Sequence, residues 1–189
     1  DNFYSFLCDR LDGLSLMTMA DLLEHVEDKA GFEKLLSALD VPAYAIRNPT
    51  VTAKLKVKKP LAMDDYRFLR EHTRKAVKVT LPGPYLLSRS MWVKKLSEGA
   101  YPTRESLCAD IVAILREELK ALAAAGVEVV QFDEPVLTEV VFAGKSSKRT
   151  FMCAALAAQS SPEAELDLAV DLVNRVVDGV TGPITALHV

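Results

Sequence analysis

The stretch that decides the fold class is GVEVVQFDEP, residues 126–135, because it combines a helix end, a whole strand and a polar strand end. Gly126 follows a segment in which apolar residues recur every three or four positions: Leu107, Ile111, Leu115, Leu119 and Leu122. This spacing predicts an amphipathic helix that stops at the glycine. The near-continuous apolar run 127–132 then predicts a strand buried on both faces. Pro135 ends that strand because it has no backbone N–H to donate.

The alternation of strands and helices extends along most of the chain. β-Branched and apolar runs predict strands at 51–57, 76–81, 127–132 and 182–189. Helical periodicity predicts helices at 16–40, 61–73, 103–126 and 160–179. Thr18 and Ser161 are predicted helix caps, and the Pro-Gly-Pro sequence at 82–84 predicts a turn. The alternation indicates βαβ units, so we predict an α/β fold with a parallel sheet covered by helices.

Composition and charge exclude several classes of protein. Of the 189 residues, 50% are apolar and 26% are charged, which is enough for one substantial core. The net charge of -3 gives no electrostatic footprint for nucleic acid. The sequence has no apolar run of about 18 residues that predicts a membrane span. Cys8, Cys108 and Cys153 form no C-x-x-C pair, and the N-terminus has no signal-peptide pattern, so we predict a cytoplasmic protein.

The two ends of the sequence predict a fragment. The chain begins with Asp1 instead of Met and ends within the strand-like run ITALHV, residues 184–189. We therefore expect residues 1–189 to form a single domain, truncated at both ends, of a longer protein. A complete (β/α)8 barrel takes roughly 250 residues, so this chain would be only part of such a barrel. The sequence leaves the oligomeric state open.

Polar residues stand at the ends of two predicted strands that follow each other in the sequence. Asp133 and Glu134 end the strand at 127–132, and His188 ends the next strand. Strand alternation places Asp133 on the same face as Gln131 and turns Glu134 to the opposite face. In parallel α/β folds ligands bind at the carboxyl ends of the strands, so these residues are candidates for a site. The same residues also fit a solvated loop and a hydrogen-bonded histidine, so spacing alone leaves the function open.

Three motifs carry a resemblance to a known family. VVQFDEPVLTE (129–139), KVTLPGPYLLS (78–88) and ALHV (186–189) resemble the cobalamin-independent methionine synthase family, in its catalytic C-terminal domain and related short proteins. The resemblance implies a partial (β/α)8 TIM-type barrel with parallel strands and a Zn²⁺ ion at the strand ends. It also implies an enzyme that transfers a methyl group from 5-methyltetrahydrofolate to the sulfur of homocysteine, giving methionine. The expected partners are the small-molecule substrates. No nucleic-acid partner and no membrane association is expected.

The resemblance also assigns roles to single residues. His188 matches the histidine of an H-x-C motif and would be a metal ligand, whereas the cysteine would stand one residue beyond Val189. Asp133 would contact the amino group of homocysteine, with Glu134 and Gln131 of the same motif as further substrate-binding residues. No catalytic residue is assigned, and the zinc site is incomplete in this chain. Trp92 lies close to a folate-site tryptophan of the family but out of register, so that role is not assigned to it.

Three alternatives stay open beside this reading. The first is alkyl transfer to another small thiol on the same zinc barrel, as in family relatives that use coenzyme M, although an amino-contacting Asp133 argues against that acceptor. Uroporphyrinogen decarboxylase shares the barrel type but uses no metal, and His188 before a cysteine argues against it. The third alternative is a non-catalytic partial barrel that acts as an assembly module.

Overall fold

A computed structural model describes residues 3–26, 29–37, 47–138 and 161–189 of the chain. The helices of these residues are α1 (Leu7–Arg10), α2 (Met19–Leu23), α3 (Lys29–Ser37), α4 (Met63–His72), α5 (Pro84–Met91), α6 (Lys94–Ser97), α7 (Arg104–Ala124), α8 (Pro135–Thr138) and α9 (Pro162–Val177). The strands are β1 (Leu11–Thr18), β2 (Arg47–Val57), β3 (Lys78–Pro82), β4 (Val129–Asp133) and β5 (Ile184–His188). Within the described ranges, no helix is both long and apolar enough to cross a membrane.

Strands β3, β4 and β5 form a parallel sheet with β4 in the middle. Their register places Pro82 beside Asp133 and Asp133 beside His188, so the carboxyl ends of all three strands meet at one edge. The predicted α/β fold with parallel strands is therefore confirmed for this sheet. The part of the chain that the structure describes contains no closed barrel.

The predicted strand at 51–57 is confirmed as a strand, but its placement in the parallel sheet is wrong. It belongs to β2, which pairs antiparallel with β1 in a separate two-stranded sheet, with Leu11 opposite Val57. β1 was not predicted, because its register shifts between Asp12 and Leu14. Gly13 lies between them with a φ of 90°, and this bulge interrupts the two-residue periodicity that indicates a strand.

The predicted helix at 16–40 is wrong at its start. Residues up to Thr18 belong to β1, and the helix α2 begins at Met19. Thr18 is nevertheless the predicted cap, because its hydroxyl group accepts a hydrogen bond from the Asp21 N–H at 3.1 Å. Residues 27, 28 and 38–40 of the predicted helix lie outside the described residues, as does Cys153.

The other predicted helices are confirmed, whereas the sequence analysis missed α5 and the short helices α1, α6 and α8. The segments at 61–73, 103–126 and 160–179 contain α4, α7 and α9, and Ser161 caps α9 by accepting from the Ala164 N–H. The Pro-Gly-Pro sequence is more than a turn, because Pro84 is the first residue of helix α5. Proline is favoured at that position because its fixed φ suits a helix and its missing N–H is not needed there.

The two faces of the parallel sheet have different surroundings. Val79 and Leu81 of β3 and Val130 and Phe132 of β4 are buried in the main core, to which α5, α7 and α9 also contribute. The alternate residues of the strands carry polar side chains on the opposite face: Lys78, Gln131, Asp133 and His188. The helices therefore cover one face of β3 and β4 and leave the polar face accessible, while Leu187 of β5, next to Phe132 in the register, stays half exposed.

A buried ion cluster joins the three covering helices. Glu165 of α9 is fully buried, and its carboxylate accepts a hydrogen bond from the Tyr85 hydroxyl group of α5 at 2.8 Å. The Arg89 guanidinium of α5 lies 3.4 Å from the same carboxylate, and Arg104 of α7 donates to both oxygens at 3.2 Å. Buried charges are stable only when they are paired in this way. The cluster therefore fixes α9, and with it the approach to β5, against α5 and α7.

We expect Glu165→Gln to destabilise the protein strongly. The substitution removes the carboxylate that pairs with the buried Arg89 and the largely buried Arg104, at a cost of about 3–5 kcal/mol in the free energy of unfolding. Asp171→Asn on the same helix is the matched control, because it breaks an exposed pair with Arg175 that contributes about 0.5 kcal/mol or less. Urea denaturation of both variants measures the difference, and equal losses would show that the cluster is not important for stability.

Candidate functional site

A row of polar side chains crosses the accessible face of the parallel sheet. The Lys78 ammonium group donates to Oε1 of Gln131 at 2.9 Å, and the Gln131 amide donates from Nε2 to Oδ1 of Asp133 at 2.7 Å. Nδ1 of His188 lies 3.3 Å from the same Oδ1. The row therefore runs from β3 through β4 to β5, and it ends where Asp133 and His188 face each other in register.

Asp133 is the acidic residue of this row, and its side chain is largely enclosed. Its side chain is 16% exposed, whereas the His188 side chain is 63% exposed. The amide of Gln131 orients the carboxylate from one side, and the imidazole of His188 borders it on the other. A partly buried carboxylate held by neighbours is suited to binding a cationic group such as an ammonium ion, because little ordering is needed when the ligand arrives.

Glu134, the next residue, lies on the covered side of the sheet. Its side chain is 0% exposed, and its two carboxylate oxygens accept hydrogen bonds from the backbone N–H groups of Tyr85 and Leu86, each at 2.7 Å. These are donors at the start of α5, where helical N–H groups have no partner inside the helix. Burial raises the pKa of Glu134 to about 8, against the lowering effect of the two N–H groups.

Backbone hydrogen bonds at this edge connect the three strand ends. The Gly83 N–H donates to the carbonyl oxygen of Asp133 at 2.7 Å, which joins the end of β3 to the end of β4. The Glu134 N–H donates to the carbonyl oxygen of His188 at 2.8 Å, which joins β4 to β5. Asp133 and Glu134 therefore hold both neighbouring strand ends through their main chain.

The described residues do not form a complete metal site. His188 provides one accessible imidazole, and the carboxylate of Asp133 lies beside its Nδ1, as carboxylates often do beside the second nitrogen of a metal-binding histidine. No group of three histidine, cysteine or acidic side chains that could hold a metal ion occurs in the ranges that the structure describes. Protein zinc sites need three or four such ligands, so the described residues of this chain can supply one ligand of such a site.

The structure thus brings together Gln131, Asp133 and His188, as the sequence placed them, and sets Glu134 behind them. Sequence reasoning missed Lys78 and Gly83, although strand alternation from Pro82 puts Lys78 on the polar face. The indole N–H of Trp92 donates to the carbonyl oxygen of Tyr101 at 3.1 Å, outside the polar row. These positions define the class: an α/β protein with a candidate small-molecule site at the carboxyl ends of parallel strands.

Comparison with known proteins adds the family to this class. Residues 27–173 match a family model described as the catalytic domain of cobalamin-independent synthase. Since that match covers most of the chain, the chain belongs to this family, and the resemblance found in the sequence motifs is confirmed.

Individual relatives agree with the family assignment. The chain is 29% identical over 166 residues to a methionine synthase of Pyrococcus abyssi, covering 87% of this chain and 41% of that protein. It is 31% identical over 137 residues to a methionine synthase of Pyrococcus furiosus, covering 72% of this chain and 32% of that protein. The chain thus spans less than half the length of these relatives.

A solved structure shows the same fold. It is a B12-independent methionine synthase from Shewanella sp. W3-18-1 in complex with selenomethionine, and it matches with a TM-score of 0.62 at 24% identity. The match covers 100% of this chain and 42% of the Shewanella chain. The likeness therefore extends over the whole described architecture and a part of the larger protein.

Proposed function

We propose that this chain is part of a methyltransferase that acts like a methionine synthase, and that it binds the amino-acid end of homocysteine. In this reaction a sulfur–carbon bond forms while the nitrogen–carbon bond of a methylated folate breaks. The electron pair of that bond stays on the folate nitrogen, which takes up a proton, and the thiol loses one. The sheet of β3, β4 and β5 would be one part of a (β/α)8 barrel. The arrangement of Gln131, Asp133 and His188 at the strand ends is the observation that carries the proposal.

Asp133 would form an ion pair with the ammonium group of homocysteine. Gln131 donates to Oδ1, and His188 also faces Oδ1, so we assign Oδ2 to the ligand. A hydrogen bond between two charged groups contributes more than a neutral one and fixes the direction of approach. The chain would thereby orient the amino acid, so that its thiol reaches the part of the site that the folate shares. Folate binding itself would involve residues beyond this polar row.

His188 would contribute one ligand to a zinc ion. Zinc, when bound, deprotonates a coordinating thiol and so makes the sulfur nucleophilic. The carboxylate of Asp133 beside Nδ1 supports this role, because it orients the ring and leaves Nε2 to meet the metal. Asp133 would thus serve two purposes, one toward the ligand and one toward the histidine.

We expect Asp133→Asn in the full-length protein to weaken homocysteine binding by about ten- to a hundredfold, because a charge-assisted hydrogen bond contributes about 1.5–3 kcal/mol. Isothermal titration calorimetry measures the dissociation constant. A thiol without an amino group is the ligand control, and its affinity should not change. Asp171→Asn is the protein control, since it removes the same charge from an exposed position on α9. An unchanged homocysteine affinity in Asp133→Asn would contradict the ammonium contact.

We also expect His188→Ala to lower the zinc content of the purified full-length protein, because loss of one ligand weakens a zinc site strongly. Elemental analysis after dialysis against a weak chelator gives the number of zinc ions per chain. His72→Ala is the matched control, since His72 is an exposed histidine on α4 whose Nδ1 lies 2.7 Å from the Phe68 carbonyl oxygen. Equal zinc content in the two variants would contradict the ligand role of His188.

A further inference from the structure

We infer that Glu134 is a positioning residue, which holds Asp133 and His188 in place by capping helix α5 from the end of β4. This inference rests on the proposed function, because it concerns the affinity for the same ligand. Glu134 itself does not face that ligand: its side chain is fully buried on the covered side of the sheet. Its effect on the site is therefore transmitted through the backbone.

Glu134 caps helix α5 with both of its carboxylate oxygens. Each carboxylate oxygen of Glu134 accepts one backbone N–H, from Tyr85 and from Leu86, both at 2.7 Å. The positive end of the helix dipole also favours an acidic group at this point. The side chain spans from the end of one strand to the first turn of a helix that follows a different strand. Because both hydrogen bonds are short and go to the same rigid helix, they hold the Glu134 side chain in a single position.

Backbone hydrogen bonds connect this cap to the site residues. The main chain of Glu134 donates to the carbonyl oxygen of His188 at 2.8 Å, and the preceding carbonyl oxygen, that of Asp133, accepts from the Gly83 N–H at 2.7 Å. The fixed Glu134 side chain therefore determines where the carboxyl end of β4 lies relative to β3 and β5. Asp133 and His188 are the last residues of β4 and β5 and lie next to each other in the register. A shift of the β4 end would change the 3.3 Å contact between their side chains.

The cap also requires free space beside Gly83. A Cβ atom at Gly83 would lie 2.2 Å from the Cδ atom of Glu134, closer than two non-bonded carbons can approach. The backbone of Gly83 has φ −73°, which any residue adopts, so the glycine is needed here for space and not for its conformation. The TLPGP motif, residues 80–84, and the QFDEP motif, residues 131–135, are thus two halves of one packed contact.

The test compares Glu134→Asp with Glu118→Asp in the full-length protein. Glu118 is also a buried glutamate that caps a helix, since it accepts from the Ala62 and Met63 N–H groups of α4 at 2.7 and 3.0 Å. Both substitutions keep the acidic group and shorten its reach by one methylene group. We expect similar losses in melting temperature, but only Glu134→Asp should raise the homocysteine dissociation constant, by about tenfold, because small displacements of binding groups reduce affinity and rate sharply. Glu118→Asp should stay within about twofold of the wild type.

A second pair of variants keeps the inference testable if Glu134→Asp does not fold. Gly83→Ala pushes the Glu134 carboxylate away from the helix, and Gly99→Ala is its control, because a Cβ at Gly99 has no neighbour within 4 Å. We expect only Gly83→Ala to weaken homocysteine binding. The methylated folate should bind all four variants with unchanged affinity, a selectivity that a general loss of stability would not produce.

The outcomes separate this inference from the proposed function. Weaker homocysteine binding in Glu134→Asp and Gly83→Ala, with unchanged binding in both controls, supports the positioning role. Equal affinities in each variant and its control would overturn it and leave Glu134 as a structural cap, while an effect of Asp133→Asn would still support the proposed function. If Asp133→Asn also has no effect on homocysteine affinity, both the function and the inference are overturned.

Discussion

A carboxylate that is removed from water needs hydrogen-bond donors. Glu134 has two of them, the backbone N–H groups of Tyr85 and Leu86 at the start of α5. This contact links helix α5 to the strand end that carries the candidate site. The helix needs this partner as much as the carboxylate does, because its first N–H groups have no acceptors within the helix. The contact forms between the end of β4 and the residues after β3, so it aligns the carboxyl ends of neighbouring strands. Under the proposed positioning role, this contact also holds Asp133 and His188 of the polar row in place.

Two adjacent acids take different roles because a strand alternates its side chains between two faces. Asp133 lies on the accessible face, where Gln131 and His188 border it and a ligand can reach it. Glu134 lies on the covered face, where burial raises its pKa and the N–H groups of α5 bind it. Pro135 begins the short helix α8 directly after them. The motif thus combines the proposed binding group, a buried helix cap and a strand end within three residues.

The sequence predicted those parts of the fold that depend on local patterns. Helices α4, α7 and α9 have clear periodicity, and β4 and β5 have apolar runs with defined ends, so their existence followed from the chain alone. β1 did not, because the bulge at Gly13 breaks its alternation. The donors that bind Glu134 lie 48 and 49 residues away in the sequence. Such a contact is set by tertiary packing, and only the alternation of side chains indicated that Glu134 turns away from Asp133.

Family membership and local geometry agree with each other. The family match rests on residues 27–173, while the polar row and the helix cap follow from the packing of the parallel sheet. The most direct test is a crystal structure of the full-length protein with homocysteine bound. The account predicts the ligand's amino nitrogen at a hydrogen-bond distance of about 2.7–2.9 Å from Asp133, on the accessible face of β4. An amino group bound elsewhere, with Asp133 facing only Gln131 and His188, would contradict it.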